Sequence, residues 1–230
     1  MDRLEALAKE LTAAHGVEAM VVPADLSVWE AHVDLLKAVT DRGRTVDLLV
    51  NNAGFGVAQS FTHVPWTRQR DFLMTLVVNA CGLAYGVIPG MVERGRGRII
   101  NVASMAAFSP GAAGHTLYPA AKSFAVKFSQ SLDAELREKG VKVTAICPGF
   151  TLTEFAEAAG TQHLMDQAPR RFWQTAEEVV TTAIEANERG RVVVIPGWHN
   201  RLAATLMRYL PEAMVQSAIR RGAAKYQLED

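Results

Sequence analysis

A chain of 230 residues, 49% hydrophobic and 21% charged, is long enough for one sizeable α/β domain with a single core. Its 24 basic residues equal its 24 acidic ones, so no net field favours nucleic acid or an acidic membrane, although the C-terminal stretch is locally basic. The two cysteines, Cys81 and Cys147, lack Cys-x-x-Cys or zinc-ligand spacing and the six histidines lack His-Glu-x-x-His, which argues against a disulfide framework and a metal site.

Asp2, Arg3 and Glu5 stand where a signal peptide would carry its apolar core. No run reaches the roughly 18 apolar residues of a membrane span, and a soluble, cytoplasmic protein is expected. Leu4, Leu7 and Leu11, with Ala8 and Ala14, recur at helical spacing before a stop at Gly16. Such a stripe is expected to lie on a sheet. Strands are predicted at 17–22, 46–51, 98–103, 141–147 and 191–195, where the sequence is rich in Val and Ile and nearly continuously apolar, as buried parallel strands are. Ser27 with Glu30, and Thr175 with Glu178, have the spacing of capping boxes, the first opening a helix that ends near Gly43. The alternation predicts a Rossmann-like, doubly wound parallel sheet over 1–197 with helices on both faces. A helical extension over 198–230 would then be broken at Pro211, with Arg201, Arg208, Arg220 and Arg221 on polar faces.

Ligands in such folds bind beyond the carboxyl ends of the strands. The segments there, "PADLS", "NAGFG", "SMAAF" and "PGFTLT", collect glycines and small polar residues suited to a nucleotide. In the helix from residue 117, Tyr118 and Lys122 share one face at i and i+4. A phenol of pKa about 10 is a poor acid at neutral pH, and a neighbouring ammonium would lower that value. Ser104, at a strand end, could donate a hydrogen bond to the same substrate oxygen.

Together, "NNAG" at 51–54, "NVAS" at 101–104, "YPAAK" at 118–122 and "PGFTLT" at 148–153 resemble the short-chain dehydrogenase/reductase superfamily, from about residue 2 to 197. The resemblance implies an NAD(P)(H)-dependent oxidoreductase interconverting a carbonyl and a secondary alcohol. Tyr118 would be the general acid/base, Lys122 its pKa-lowering neighbour and ribose ligand, and Ser104 the group that polarises the substrate oxygen. The backbone carbonyl of Asn79 would hold a relay water. Asp25 would accept from the adenine amino group, and Asn51, Ala53 and Gly54 would pass beneath adenine and ribose. Pro148, Gly149 and Thr153 would orient the nicotinamide. The resemblance also implies a homo-oligomer, and the helix "RLEALA" inclines the choice to NADP(H) over NAD(H). Substrate selection would fall to a lid over 154–173, where Phe155, Leu164, Met165 and Phe172 offer apolar surface, favouring an apolar carbonyl or alcohol. For the tail, dimer contact, lid support and membrane-surface binding stay open.

One family signature has no counterpart: the glycine-rich turn Thr-Gly-x-x-x-Gly-x-Gly between a first strand and helix. By position, the helix at residue 2 corresponds to the one after the family's second strand. The expectation is that a strand, glycine loop, helix and second strand are absent, Met1 being an internal methionine of a longer frame. Two predicted strands, 17–22 and 46–51, would then either pair directly or leave an open apolar edge. Losing about three charge-assisted hydrogen bonds to the pyrophosphate, at roughly 1.5 to 3 kcal/mol each, would weaken cofactor binding by roughly 10³ to 10⁶ fold. A catalytically silent binding or regulatory relative, or a subunit completed by a partner, is the alternative.

Overall fold

The structure, a computed structural model, describes residues 2–57, 59–111, 114, 116–158, 169–210 and 214. Its strands are β1 (Leu48–Asn51), β2 (Gly97–Val102), β3 (Val141–Ile146), β4 (Thr151–Leu152), β5 (Gln174–Thr175) and β6 (Val193–Val194). Its helices are α1 (Asp2–His15), α2 (Ala31–Thr40), α3 (Trp66–Leu73), α4 (Asn79–Glu93), α5 (Leu117–Leu136), α6 (Phe155–Ala158), α7 (Ala176–Glu188) and α8 (Trp198–Tyr209). A π-helical turn, Met74–Val78, joins α3 to α4.

A parallel four-stranded sheet runs in the order β1-β2-β3-β6, with Leu48 opposite Arg98 and Gly97 opposite Val141. Side chains alternate across it. On one face Ile99, Val141 and Val143 meet Ala84, Val87 and Met91 of α4 and Leu136 of α5. On the other, Ile100, Ile146 and Val194 meet Val179, Ala183 and Ala186 of α7. The short parallel pair β4–β5 forms a separate ribbon. Helix α2 lies against α4 where glycines permit close approach: a Cβ on Gly82 would come within 2.5 Å of the His32 ring, and one on Gly86 within 2.2 Å of Leu36.

Thr175 and Glu178 form the expected capping box, with both reciprocal bonds in place at 3.1 and 2.9 Å. The Ser27–Glu30 box does not form. There the Asp25 carboxylate accepts from the Ser27 N–H at 2.9 Å, Glu30 adopts the left-handed conformation at φ 65°, and the helix begins only at Ala31. An Asx turn has taken the donor that a box would have used.

The predicted strand at 17–22 is not a strand. The segment has no ladder partner among the described residues, and neither does the outer edge of β1, where Leu48 and Val50 are 39% and 49% exposed. Of the two arrangements expected, this is the open edge. Nor does α1 lay its stripe on a sheet: none of its residues is buried, and Leu4, Leu7 and Leu11 are 39 to 50% exposed. Its hydrogen-bonded tie to the rest, Arg3 to Glu154 at 2.6 Å, is an exposed ion pair that solvent screens.

The helical stretch Trp66–Glu93, 28 residues long, is apolar enough to cross a membrane by length and composition, contrary to the sequence reading. In the fold it buries Phe72, Leu76, Ala84, Val87 and Met91 against protein, as a core helix does. Downstream, α8 is anchored by Asn200, whose amide donates to Gln174 at 3.1 Å and to the Pro196 carbonyl at 2.9 Å. Of the predicted lid over 154–173, residues 159–168 with Leu164 and Met165 lie outside the described residues, as do the predicted break at Pro211 and the tail carrying Arg220 and Arg221.

Candidate active site

The carboxyl ends of β2 and β3 are tied together where the Met105 N–H donates to the Pro148 carbonyl at 2.8 Å. Ser104 leaves β2 in an extended conformation and caps the 3₁₀ turn Met105–Phe108, its Oγ accepting from the Ala106 N–H at 3.1 Å. That turn is fastened to α5 by Ser123, whose hydroxyl donates to the Ala107 carbonyl at 2.7 Å. Ser104 therefore faces the helix that carries Tyr118 and Lys122.

Lys122 is 8% exposed, its Nζ donating to the Val102 carbonyl at 2.7 Å and standing 5.6 Å from the centre of the Tyr118 ring. Burial disfavours the ammonium and pulls its pKa down to about 8, with Cys147 acting weakly the other way. Tyr118 is pushed above its ordinary value by burial, while the Ser104 hydroxyl, hydrogen-bonding toward it, pulls down. The sequence reading expected Lys122 to lower the phenol; here the downward pull comes from Ser104, and desolvation outweighs it. The Cys147 thiol, completely buried beside Lys122, is pushed up to about 12 by the same desolvation, which leaves it an unreactive packing residue.

Asn79 closes the π turn, its N–H reaching back to the Met74 carbonyl. Its buried side chain is fully engaged. Nδ2 donates to the Leu26 and Val28 carbonyls at 2.8 and 2.9 Å, and Oδ1 accepts from the His32 N–H at 3.0 Å and lies 2.8 Å from the His32 ring Nδ1. Asn79 thus clamps the segment leading into α2 onto the helix that opens the site. Such π turns inside α-helices are frequent at functional sites.

A cavity of about 80 Å³ opens between these elements, and its lining includes Leu26, Asn51, Ala53, Thr75, Leu76 and Lys122. Asn51 is fixed by donating to Asn101 Oδ1 at 2.9 Å and to the Ala80 carbonyl at 3.2 Å, and Asn101 in turn donates to Ser129 at 2.8 Å. Gly54 borders the cavity wall, a Cβ there touching Leu76 at 3.4 Å. Pro148, Gly149 and Thr153 lie on the neighbouring strand end. Gly149 has a structural reason to be glycine, since a Cβ would stand 2.5 Å from the Asn200 amide. The Thr153 hydroxyl accepts from the Phe155 N–H at 3.4 Å where α6 begins. Asp25 stays on the surface, and the Ser27 N–H on its carboxylate holds its pKa below the usual carboxylate range. His32, Leu26 and Thr75 were not singled out from the sequence. His32 reaches Asn79 across 47 positions, and no local spacing signals that.

The lysine ammonium carries three donors and spends one on Val102 among the described contacts. The rest could hold ribose hydroxyls, so the nicotinamide end of a dinucleotide suits these residues. Among the described residues, no glycine-rich strand-to-helix turn stands ready for a pyrophosphate.

The sequence model described as short chain dehydrogenase matches residues 1–164. An uncharacterised oxidoreductase of Myxococcus xanthus is 33% identical over 221 residues, spanning 96% of this chain and 84% of the relative. Against two further curated relatives the chain spans 51% and 65% of their length. Among solved structures, a bulky-bulky ketone specific alcohol dehydrogenase from Comamonas testosteroni superposes with TM-score 0.73 at 25% identity, covering 92% of this chain and 82% of that one. A short-chain dehydrogenase from Sphingobium yanoikuyae in complex with NADPH gives TM-score 0.76 at 27% identity, covering 92% and 84%. With its parallel sheet, its Tyr-x-x-x-Lys helix and these matches, the chain belongs to the short-chain dehydrogenase family of NAD(P)-dependent oxidoreductases.

Proposed function

We propose that this chain carries out proton transfer at a carbonyl or secondary alcohol through Tyr118, with Lys122, Ser104 and Asn79 in support. The observation that carries the reading is the convergence of Ser104 and Lys122 on Tyr118, between the end of β2 and one face of α5. Tyr118 is held neutral, as a proton donor to a carbonyl oxygen must be. A Ser104 hydroxyl that already interacts with the phenol is placed to share the same substrate oxygen, and a charged Lys122 behind the ring would stabilise the phenolate left by the transfer. The nicotinamide would supply the hydride. Asn51, Ala53, Gly54, Lys122, Pro148, Gly149 and Thr153 would hold that end of the dinucleotide, and Asp25 the adenine. The relative solved with NADPH supports NADP(H) over NAD(H).

Phe155 stands with its ring centre 6.0 Å from that of Tyr118, which supports an apolar substrate, in keeping with the ketone-specific relative. Exposed Tyr85 and Phe124, on the two helices that share the first core, support assembly as a homo-oligomer. Both cysteines are free, as suits the reducing cytoplasm. We read 1–197 as the catalytic unit and 198–230 as an extension of it.

The open edge of β1, with no glycine-rich phosphate turn among the described residues, favours a second reading, a binding protein without turnover or a subunit that a partner completes. Titration with NADPH and NADH followed by fluorescence, then carbonyl reduction by the wild type and Tyr118→Phe, separates the two. Saturable binding, with turnover abolished and the melting temperature unchanged in Tyr118→Phe, is expected. No binding to the folded chain would leave the second reading standing.

A further inference from the structure

Helix α8 has two faces. Asn200 and Ala204 are buried, turned toward the body of the fold. Trp198, Leu202, Leu206 and Tyr209 point the other way and are 70, 52, 48 and 76% exposed. At about 100° per residue, these four fall within one narrow stripe, with Arg201 and Arg208 along a single border. The Phe172 ring lies 5.4 Å from that of His199, and the Phe172 carbonyl 3.3 Å from His199 Nε2, which brings the turn Arg170–Phe172 beside the start of the helix.

Three arginines of this region lie over aromatic rings: Arg170 over Trp173 at 5.5 Å, Arg171 over Phe172 at 5.0 Å and Arg208 over Tyr209 at 5.8 Å. Neither 169–175 nor 198–209 contains an acidic residue. None of the four arginines has an ion-pair partner among the described residues.

We propose that this face docks on an anionic lipid surface, α8 lying in the plane of the interface. An aromatic at each end of the stripe is suited to the headgroup level, leucines between them reach the acyl boundary, and arginines with no ion-pair partner among the described residues meet lipid phosphates. An apolar stripe alone would fit many partners. The one-sided border of uncompensated positive charge, on a chain of zero net charge, is what selects negatively charged lipid. The proposal is independent of the chemistry assigned to Tyr118.

The test is co-sedimentation of the full chain with phosphatidylcholine vesicles, with and without phosphatidylglycerol, alongside light scattering of the protein alone. Binding is expected only with the anionic lipid and is expected to weaken as salt screens it. Arg201→Gln with Arg208→Gln should lower partitioning by roughly 25-fold, about five-fold for each arginine. Leu202→Glu with Leu206→Glu should abolish it. Both pairs should leave the circular dichroism spectrum and melting temperature unchanged, because these positions are exposed. Absence of binding, or equal binding to neutral and anionic vesicles, would overturn the proposal. So would a fall in oligomeric state caused by the leucine substitutions, which would assign the stripe to a second copy of the chain.

Discussion

The two ends of the sheet contrast. Around β2 and β3, both faces are covered, by α4 and α5 on one side and α7 on the other, and the strand side chains are almost wholly inaccessible. At the β1 end Leu48 and Val50, and in α1 the equally apolar Leu4, Leu7 and Leu11, stay in contact with water. The difference lies in the presence of a partner surface. An amphipathic pattern specifies which face an element would bury, and burial follows only where another apolar face is within reach.

Truncation should expose that contrast most strongly. Phe72→Ala, in a completely buried position at the foot of the site, should cost about 3 to 5 kcal/mol of unfolding free energy in denaturant. Leu7→Ala, in the half-exposed stripe of α1, should fall within about 0.5 kcal/mol of wild type. A large loss at Leu7 would mean that α1 is covered in solution and would erase the contrast.

Next in size is the buried ammonium. The pKa of Lys122 is about 8 folded against 10.5 for the ordinary side chain, so between those values the unfolded chain holds more protons than the folded one, and stability must rise with pH. The gain is on the order of 3 kcal/mol at most across that window. Tyr118 acts oppositely once the unfolded phenol ionises near its ordinary pKa of 10, and Cys147, pushed from 9.0 up to about 12 in the fold, already offsets part of the gain from about pH 9. Denaturant midpoints at successive pH values between 8 and 9.5 should therefore climb in the wild type and stay flatter in Lys122→Met. A wild-type slope that matches the variant's would mean that Lys122 is solvated in the folded protein.

The smallest effect compares two caps. Thr175→Ala removes a working capping box and should cost about 1 kcal/mol. Ser27→Ala should cost less, because the larger of the two Ser27 interactions with Asp25 is with the backbone N–H, which alanine retains, and only that of the hydroxyl is lost. Equal losses at the two positions would show that the Ser27 hydroxyl caps in solution after all.

These cases also mark how far the chain can be read without its fold. Strands at 46–51, 98–103 and 141–147 were legible to within about two residues because the apolar run of each is continuous, and the latter two are buried on both faces as that pattern implies. The segment 17–22 has the same composition and forms no ladder; its pattern is local, while its pairing depends on a neighbour that composition does not reveal. In the site, the Tyr118–Lys122 pair was legible from helical spacing and Ser104 from its strand end. The clamp of Asn79 on Leu26, Val28 and His32 was not, since those bonds join residues 47 to 53 positions apart. The direction of the Tyr118 shift was misjudged for a related reason: burial of the phenol, a property of the assembled site, outweighs the Ser104 hydroxyl that pulls it down.

The π turn before α4 amounts to one extra residue spliced into an otherwise regular helix. Around it the inward set widens: Phe72, Met74, Thr75 and Leu76 are all buried ahead of Asn79, before the spacing of α4 continues at Ala84, Val87 and Met91. Excising a single residue from Met74–Val78 would let the backbone close into a continuous α-helix, a locally favourable change. A bulge absorbs its extra residue locally, so the helix on either side would keep its phase. What would be lost is the widened turn itself, in which Met74, Thr75 and Leu76 are buried side by side ahead of Asn79. A one-residue deletion here would therefore act on the wall of the site and on the Asn79 clamp while sparing the seat of α4 on the sheet.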